Sequence, residues 1–154
     1  MSEDTCEKKS GEMVVFTVGT IICGLCITHV LEICRDFKIT TVHRAPAAIR
    51  GVIHLRGQVV TVVDMRTIFR APHIPVGRES RIIMVKSQDE SLGLLVDEVD
   101  DIIIVEPQNL QPPPPNVKGV AGSLFTCIYK RPRELVSILN LEEVLKIEGE
   151  SDRS

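Results

Sequence analysis

The segment GVIHLRGQVVTVVDMR, residues 51–66, decides the fold of this chain. Two runs of mostly branched aliphatic residues flank the pair Arg56-Gly57 in it. Branched aliphatic side chains favour extended strands, and a two-residue connection that contains glycine favours a tight reversal of the chain. The segment therefore predicts a β-hairpin with strands over Val52–Leu55 and Gln58–Val63.

The composition extends this prediction to the whole chain. Its 154 residues suffice for one compact unit, or for two very small units that share a core. Hydrophobic residues make up 44% of the sequence, but aromatic residues only 3%, and there is no Trp. A core built from Val and Ile favours a mainly β protein.

Short apolar runs separated by turn residues predict further strands on both sides of the hairpin. These are Met13–Val18, Ile21–Ile27, Val30–Cys34, Arg81–Val85, Leu92–Val96, Val99–Val105, Ala121–Lys130 and Leu135–Leu139. Loops are predicted where proline, glycine and polar residues accumulate, over Thr40–Ala48, Ala71–Ser80 and Glu106–Asn116. The small and charged residues of 1–12 and 148–154 predict disordered tails around one domain over 13–147.

An internal repeat supports two subdomains. Residues 58–69 (QVVTVVDMRTIF) and 134–145 (ELVSILNLEEVL) align without a gap. In each, an apolar strand reaches a residue that can cap a helix, Asp64 or Asn140, and apolar residues at helical spacing follow. Glu143, three residues after Asn140, completes a capping-box pattern. The repeat indicates two similar β subdomains, each with a strand followed by a short helical segment.

Charge and segment lengths restrict the class of partner. The formal net charge is −3, with 10 − 8 = +2 over residues 1–80 and 8 − 13 = −5 over residues 81–154. This balance argues against nucleic-acid binding. We see no signal peptide and no apolar run that could span a bilayer, so we expect a cytoplasmic protein that does not insert into the membrane. Five unevenly spaced cysteines predict reduced thiols.

The pair Cys23 and Cys26 forms a lone CxxC motif. A structural zinc site usually needs two such pairs, and a redox CxxC belongs at the start of a helix. This motif lies within an apolar strand, where side chains three residues apart point to opposite faces. We expect buried, inert thiols, and keep a small thiol redox protein as an alternative.

The other polar residues show no recognisable pattern for catalysis. The four histidines lack metal-ligand spacing, and the acidic cluster DEVDD at 97–101 lacks the spacing of an EF-hand, so it predicts a solvated turn. We find no P-loop, G-x-S-x-G or G-x-G-x-x-G motif. The sequence therefore predicts a binding protein without catalytic residues, cofactor or metal.

Residues 51–66 resemble the central signature of CheW-like domains, in which a GV-x-x-LRG turn precedes a strand that ends in VDLR. In this chain Met65 stands at the usual Leu position, and Thr61 stands where Pro is frequent. Further segments similar to the family occur in the same order, at residues 16–33, 92–102, 118–122 and 135–145. The resemblance covers about residues 13–147 and includes no kinase or receiver domain.

The resemblance implies a fold of two small five-stranded β-barrel subdomains that share an apolar core, with short helical segments and a C-terminal helix. It also implies a non-enzymatic scaffold that couples methyl-accepting chemoreceptors to the histidine kinase CheA, through CheA's regulatory domain. A CheW-like adaptor for a non-flagellar output is the alternative within the family.

The resemblance further implies two sets of contact residues. The receptor is expected in the groove between the barrels, bordered by Val30, Glu32, Ile33, Gly51, Arg56, Val99 and Ile102. The kinase is expected on the second barrel, around Ile82, Ile83, Val85 and Gly93. We hypothesise that Glu32 and Arg56 pair at the groove rim and help to set the receptor register. Alternation along a strand implies that about half of the kinase-contact residues point inward.

Overall fold

Strands dominate the computed structural model, which describes residues 11–87 and 90–151. The strands in this part of the chain are β1 (Gly11–Val18), β2 (Ile21–Cys26), β3 (Val30–Cys34), β4 (Ile49–Leu55), β5 (Gln58–Asp64), β6 (Arg81–Ser87), β7 (Glu90–Val96), β8 (Glu98–Val105), β9 (Leu110–Gln111), β10 (Asn116–Val117), β11 (Val120–Ala121), β12 (Phe125–Lys130) and β13 (Leu135–Leu139). Two helices accompany them, α1 (Met65–Ile68) and α2 (Leu141–Ser151). The prediction of a mainly β fold is confirmed.

The hairpin predicted from residues 51–66 is formed by β4 and β5. Leu55 pairs with Gln58, so Arg56 and Gly57 alone make the turn. Both turn residues have positive φ, 52° and 80°, as a type I′ turn requires. The strand before the turn begins at Ile49, three residues earlier than predicted, because the ladder continues to the Ile49–Val63 pair.

Two sheets contain eleven of these thirteen strands, and the segment that forms one is inserted into the sequence of the other, while β10 and β11 pair with each other separately. The five-stranded sheet, in the order β3-β6-β7-β5-β4, uses one continuous stretch of chain, residues 30–96. The other sheet has six strands in the order β8-β1-β2-β13-β12-β9, of which β9 has only two residues. The five-stranded count is therefore confirmed for the first sheet, and the second contains one short additional strand.

The five-stranded sheet curls until its two edges approach each other. The chain just beyond β3 bonds to β4 at the other edge, where Thr40 and Val52 exchange two backbone hydrogen bonds of 2.8 and 2.9 Å. An interior core fills the curl with side chains from all five strands, a barrel-like arrangement. Its buried members are Cys34, Ile53, Val60, Val62, Ile82, Met84 and Leu95.

The six-stranded sheet curls in a similar way around its own small core. Tyr129 on β12 reaches across to the end of β8, where its hydroxyl donates to the Ile104 carbonyl at 3.3 Å and accepts from the Glu106 N–H at 3.0 Å. The buried residues inside are Met13, Val105, Cys127, Tyr129, Val136 and Ile138.

A third and larger core lies between the two sheets and joins them. It takes Phe16, Val18, Ile21, Cys23 and Leu25 from the six-stranded sheet, and Val63, Ile83, Val85, Leu92, Leu94 and Val96 from the five-stranded sheet. Both α1 and α2 add buried side chains to it. The prediction of two subdomains that share one apolar core is confirmed.

The internal repeat corresponds to the same structural unit in both subdomains. The Asp64 side chain accepts from the Arg66 N–H at 3.0 Å, and the Asn140 side chain accepts from the Glu143 N–H at 3.3 Å. The two strands before these caps each have a parallel neighbour in their sheet, β7 beside β5 and β2 beside β13. The second half of the capping box is absent, because the Asn140 N–H donates to the Leu124 carbonyl.

Several predicted boundaries differ from the structure. The strand predicted over Ile21–Ile27 ends at Cys26 in a single 3₁₀ turn, and the strand predicted over Ala121–Lys130 is interrupted by another such turn at Gly122–Leu124. Residues 11–12 belong to β1 and residues 148–151 to α2, although both were assigned to the tails. The rest of the predicted tails, 1–10 and 152–154, lies outside the described residues.

The acidic cluster at 97–101 is mostly strand, not the predicted turn. Only Asp97 lies in the bend, and β8 begins at Glu98. β8 is an edge strand that pairs with β1, so it offers one outer side to solvent. Exposed carboxylates are tolerated in such a position and discourage unwanted edge pairing.

Candidate functional site

The predicted contact between Glu32 and Arg56 is present in the structure. Arg56 Nη1 donates to Glu32 Oε1, which joins β3 to the β4–β5 turn. Because β3 and β4 are opposite edges of the five-stranded sheet, the pair spans the place where the curled sheet meets itself. The Arg56 side chain is 73% exposed and that of Glu32 is 31% exposed, so the pair faces solvent. Its role in receptor register stays a prediction.

Each member of the pair favours the charged form of the other. The hydrogen bond from Arg56 holds the pKa of Glu32 below its ordinary value, and the same bond raises the pKa of Arg56. The Cys34 thiol adds a weak bond to the second oxygen of Glu32, with an S–O distance of 3.6 Å. Both carboxylate oxygens are thus occupied, whereas a guanidinium has five N–H donors and can still bind a second acceptor.

The lowered pKa of Glu32 predicts that the ion pair persists at pH values where an ordinary glutamate is already protonated. Because the folded-state pKa is depressed, the pair is fully formed above the ordinary value of 4.5 and is lost only as the pH falls through the lower folded value. Carboxyl carbon NMR of Glu32 is expected to show this late titration. In Arg56→Gln the Glu32 pKa should move up towards 4.5. Identical titrations in the two proteins would contradict the pairing.

The apolar residues predicted around the receptor groove lie at the junction of the two subdomains. Val30 and Ile33 on β3, and Val99 on β8, are partly buried against the shared core. Ile102 is 54% exposed on the edge strand β8. Glu32 lies on β3 between Val30 and Ile33 in sequence, so the ion pair and part of this apolar rim share one edge strand.

Gly51 has a structural role inside the five-stranded subdomain. It is buried, with φ +153°, and a Cβ atom there would collide with the Thr40 carbonyl oxygen and lie 2.7 Å from Ile39 Cγ2. The close approach that glycine permits is therefore internal to the subdomain. That Gly51 also borders the receptor stays a prediction.

All four residues predicted at the kinase contact are buried. Ile82 lies in the interior core of the five-stranded sheet, and Ile83 and Val85 lie in the shared core. A Cβ atom at Gly93 would lie 2.6 Å from Ile82 Cγ2, so this position only allows two strands to pack closely. Their side chains are buried in this structure, and their part in the kinase contact stays a prediction. That the kinase contact lies on this subdomain stays a prediction.

A charged link between the subdomains was not predicted. Arg66 forms a bidentate pair with Asp97, with Nε–Oδ1 and Nη2–Oδ2 distances of 2.9 and 2.8 Å. The Gly19 N–H, in the β1–β2 turn, donates to the same carboxylate at 2.8 Å. The link therefore joins α1 to the other sheet. Both charged residues lie in segments that carry the family resemblance, but nothing local in the sequence pairs residues 31 positions apart.

Two of the free thiols, those of Cys23 and Cys34, have a raised pKa and therefore little nucleophilic character. Cys23 is fully buried, and burial, together with the charge of Asp97, raises its pKa. Burial and the neighbouring Glu32 also raise the pKa of Cys34. Cys23, Cys26 and Cys34 are free, whereas Cys127 is disulfide-bonded, so the expectation that every thiol is reduced is not met at Cys127.

The described residues contain neither a cluster of metal-binding side chains nor a membrane-spanning helix. Across 11–87 and 90–151, no three His, Cys, Asp or Glu side chains converge to hold a metal ion. Within the same ranges, neither helix has the length and apolar character needed to cross a bilayer.

Comparison with known proteins gives a consistent family. The model of the CheW-like domain matches residues 12–149. "Chemotaxis protein CheW" of Bacillus subtilis is 33% identical over 146 residues, with 94% of each chain covered. "Protein FrzA" of Myxococcus xanthus is 25% identical, with 88% of this chain and 85% of that protein covered. The crystal structure of the scaffolding protein TtCheW from Thermoanaerobacter tengcongensis superimposes with a TM-score of 0.82 at 29% identity, covering 92% of this chain and 96% of the other. The chain therefore belongs to the CheW-like domain family.

Proposed function

We propose that this protein is a non-enzymatic chemotaxis adaptor that couples methyl-accepting chemoreceptors to the histidine kinase CheA. It works in the cytoplasm, beneath the membrane-bound receptor arrays. Family membership supports this proposal, as does the relative named as a chemotaxis protein, whose length the chain covers almost completely. The observation that carries it is the exposed pair of Glu32 and Arg56 beside an apolar rim at the subdomain junction.

The receptor contact combines apolar packing with one charged side chain, Arg56, whose hydrogen bonds have a fixed direction. A helical receptor tip presents a ridge of apolar side chains, which the rim of Val30, Ile33 and Val99 receives, with Ile102 exposed at its edge. Arg56 keeps N–H donors for a receptor carboxylate, and Glu32 fixes the direction of its guanidinium plane. The apolar surface supplies affinity, and the ion pair sets the position of the receptor helix along the groove.

The kinase contact is proposed on the five-stranded subdomain. Four buried residues contribute to it indirectly, because their packing sets the shape of the sheet that the regulatory domain of CheA would contact. These are Ile82, Ile83, Val85 and Gly93. The direct contacts must come from other, exposed residues of the same subdomain.

A thiol redox function is not favoured. Such chemistry needs an accessible thiolate, and Cys23 has neither exposure nor a lowered pKa. An adaptor for an output other than flagellar motility would use the same contacts, so the identity of its kinase and receptors distinguishes it.

Arg56→Glu is expected to weaken binding to a receptor cytoplasmic tip by at least about tenfold. The substitution places a second carboxylate beside Glu32 and removes the guanidinium N–H donors. Pull-down with a purified receptor tip measures this effect. The matched control is Arg133→Glu, which makes the same charge change at an exposed position between β12 and β13.

The double variant Glu32→Arg/Arg56→Glu separates two roles of the pair. It restores an ion pair of opposite polarity, so the thermal stability should return while receptor binding stays weak. Unchanged receptor binding in Arg56→Glu would refute the role of the pair in receptor recognition.

A further inference from the structure

A groove opens on the five-stranded subdomain between residues 37–41 and residues 73–76. It encloses about 470 Å³. Phe37, Ile39, Pro75 and Val76 give it apolar walls, and the Arg50 and His73 side chains lie on its polar side. The groove therefore has room for a large apolar side chain and a polar edge beside it.

The two segments around the groove are strongly basic. Residues 35–44 and 70–81 together contain six Lys or Arg and two Asp or Glu, a net charge of 6 − 2 = +4 with neutral histidine. The whole chain has a net charge of −3, so all other residues together carry −7. The Arg50 charge is not part of this excess, because Asp64 pairs with it at 2.9 Å. The segments that flank the groove are thus a positive region on a negative protein, which attracts acidic partners.

The same two segments expose apolar side chains. Val42 is 42% exposed, Ile74 40% and Val76 42%. Three large aliphatic side chains exposed beside an apolar groove are typical of a protein-binding site. The nearby positive charge indicates which chemistry the partner has.

We propose that this groove binds an acidic segment of a partner protein that carries one large apolar anchor residue. The anchor packs between Phe37 and Val76, and the flanking carboxylates lie over the basic segments 35–44 and 70–81. This mode combines a buried anchor with a charged rim.

The groove is distinct from the proposed receptor contact. Arg50 lies near the start of β4, and Arg56 follows its last residue. The two are six residues apart, which corresponds to about 20 Å along an extended strand. The groove lies on the subdomain where the kinase contact is proposed, but the inference rests on the lining and flanking charge of the groove and does not depend on that proposal.

Other occupants fit the groove less well. A second copy of the chain would have to insert its acidic edge strand β8, where Ile102 and Ile104 are exposed, but that strand is held in the six-stranded sheet by its pairing with β1. The C-terminal residues 148–154, EGESDRS, are acidic but contain no large apolar side chain. An acidic partner segment with an anchor satisfies both the charge and the volume of the groove.

Fluorescence anisotropy of the full chain with three labelled peptides tests the proposal. The first peptide places one tryptophan among aspartate and glutamate residues, the second replaces that tryptophan by alanine, and the third places the tryptophan among lysines. Only the first is expected to bind, with an affinity that falls as salt rises. Absence of binding by the first peptide, or equal binding by all three, overturns the proposal.

Variants locate the binding on the surface. Val76→Glu is expected to lower the affinity for the first peptide by about tenfold or more. Val59→Glu is the matched control, because Val59 is 62% exposed on β5 outside the groove. Equal loss in both variants overturns the proposal.

Arg56→Glu should leave peptide binding unchanged, and Val76→Glu should leave receptor binding unchanged, so failure of this inference and failure of the proposed function are distinguishable.

Two measurements exclude the other occupants. Sedimentation velocity of the wild-type chain is expected to give a monomer, and a dimer that Val76→Glu dissociates would overturn the proposal in favour of a second copy. A chain shortened to residue 147 is expected to bind the first peptide as the full chain does. Much tighter binding after this truncation would assign the groove to the C-terminal residues instead.

Discussion

Asp64→Ala is expected to lower the free energy of unfolding by about 3 kcal/mol or more. The Asp64 residue is only 3% exposed and its carboxylate has several partners. It pairs with Arg50 at 2.9 Å, accepts from the Arg66 N–H at 3.0 Å, and lies 4.0 Å from His73 Nδ1. Removal leaves a half-buried Arg50 without its counter-charge and α1 without its cap, which alone is worth about 1 kcal/mol.

Urea unfolding measures this loss, with Asp101→Ala as the control. Asp101 is 50% exposed and lies 4.0 Å from Arg131, so its removal should cost about 0–1 kcal/mol. Equal costs for the two alanine substitutions would show that burial and partner number do not decide the contribution of Asp64.

Gly51→Ala is expected to cost about 3 kcal/mol of unfolding free energy, at the upper end of common single substitutions. The backbone φ of +153° disfavours any side chain, and the added Cβ would strike the Thr40 carbonyl, which belongs to the bridge that closes the five-stranded sheet. Gly57→Ala isolates the first of these causes. Gly57 has φ +80° and nothing within 4 Å of an added Cβ, so only about 1 kcal/mol is expected.

The same pair of variants tests whether Gly51 has a structural or a contact role. If the role is structural, the folded fraction of Gly51→Ala should bind a receptor tip as tightly as the wild type. A stable Gly51→Ala protein that no longer binds the receptor would make Gly51 a contact residue, against the buried position described above.

Local features were predictable from the sequence because they depend on neighbouring residues. The Arg56-Gly57 turn follows from its two flanking strands, and both helix caps follow from a polar residue before an amphipathic run. The repeat of strand and cap allowed two subdomains to be predicted as well. These features required no knowledge of how the sheets pack.

The burial of the four predicted kinase-contact residues was not predictable, because both faces of β6 and β7 are buried. Ile82 points into the interior core, and its neighbour Ile83 points into the shared core between the sheets. Alternation predicts one buried and one exposed face, but a strand covered on both sides has a continuous apolar sequence. A run such as RIIMV therefore identifies a central strand and does not indicate a surface.

The site itself was only partly predictable. The Glu32–Arg56 pair came from the family resemblance, since only the curl of the sheet brings its opposite edges together. The Arg66–Asp97 link and the basic groove depend on tertiary packing between distant segments. The charge excess of residues 35–44 and 70–81 is visible in the sequence, but that both border one groove is not.

Size-exclusion co-purification with the regulatory domain of CheA and a receptor cytoplasmic tip tests the adaptor function most directly. The wild-type chain is expected to form a complex with each partner and to bring both into one assembly. Arg56→Glu should keep the kinase domain and lose the receptor tip. Elution of the wild-type chain apart from both partners would contradict the account.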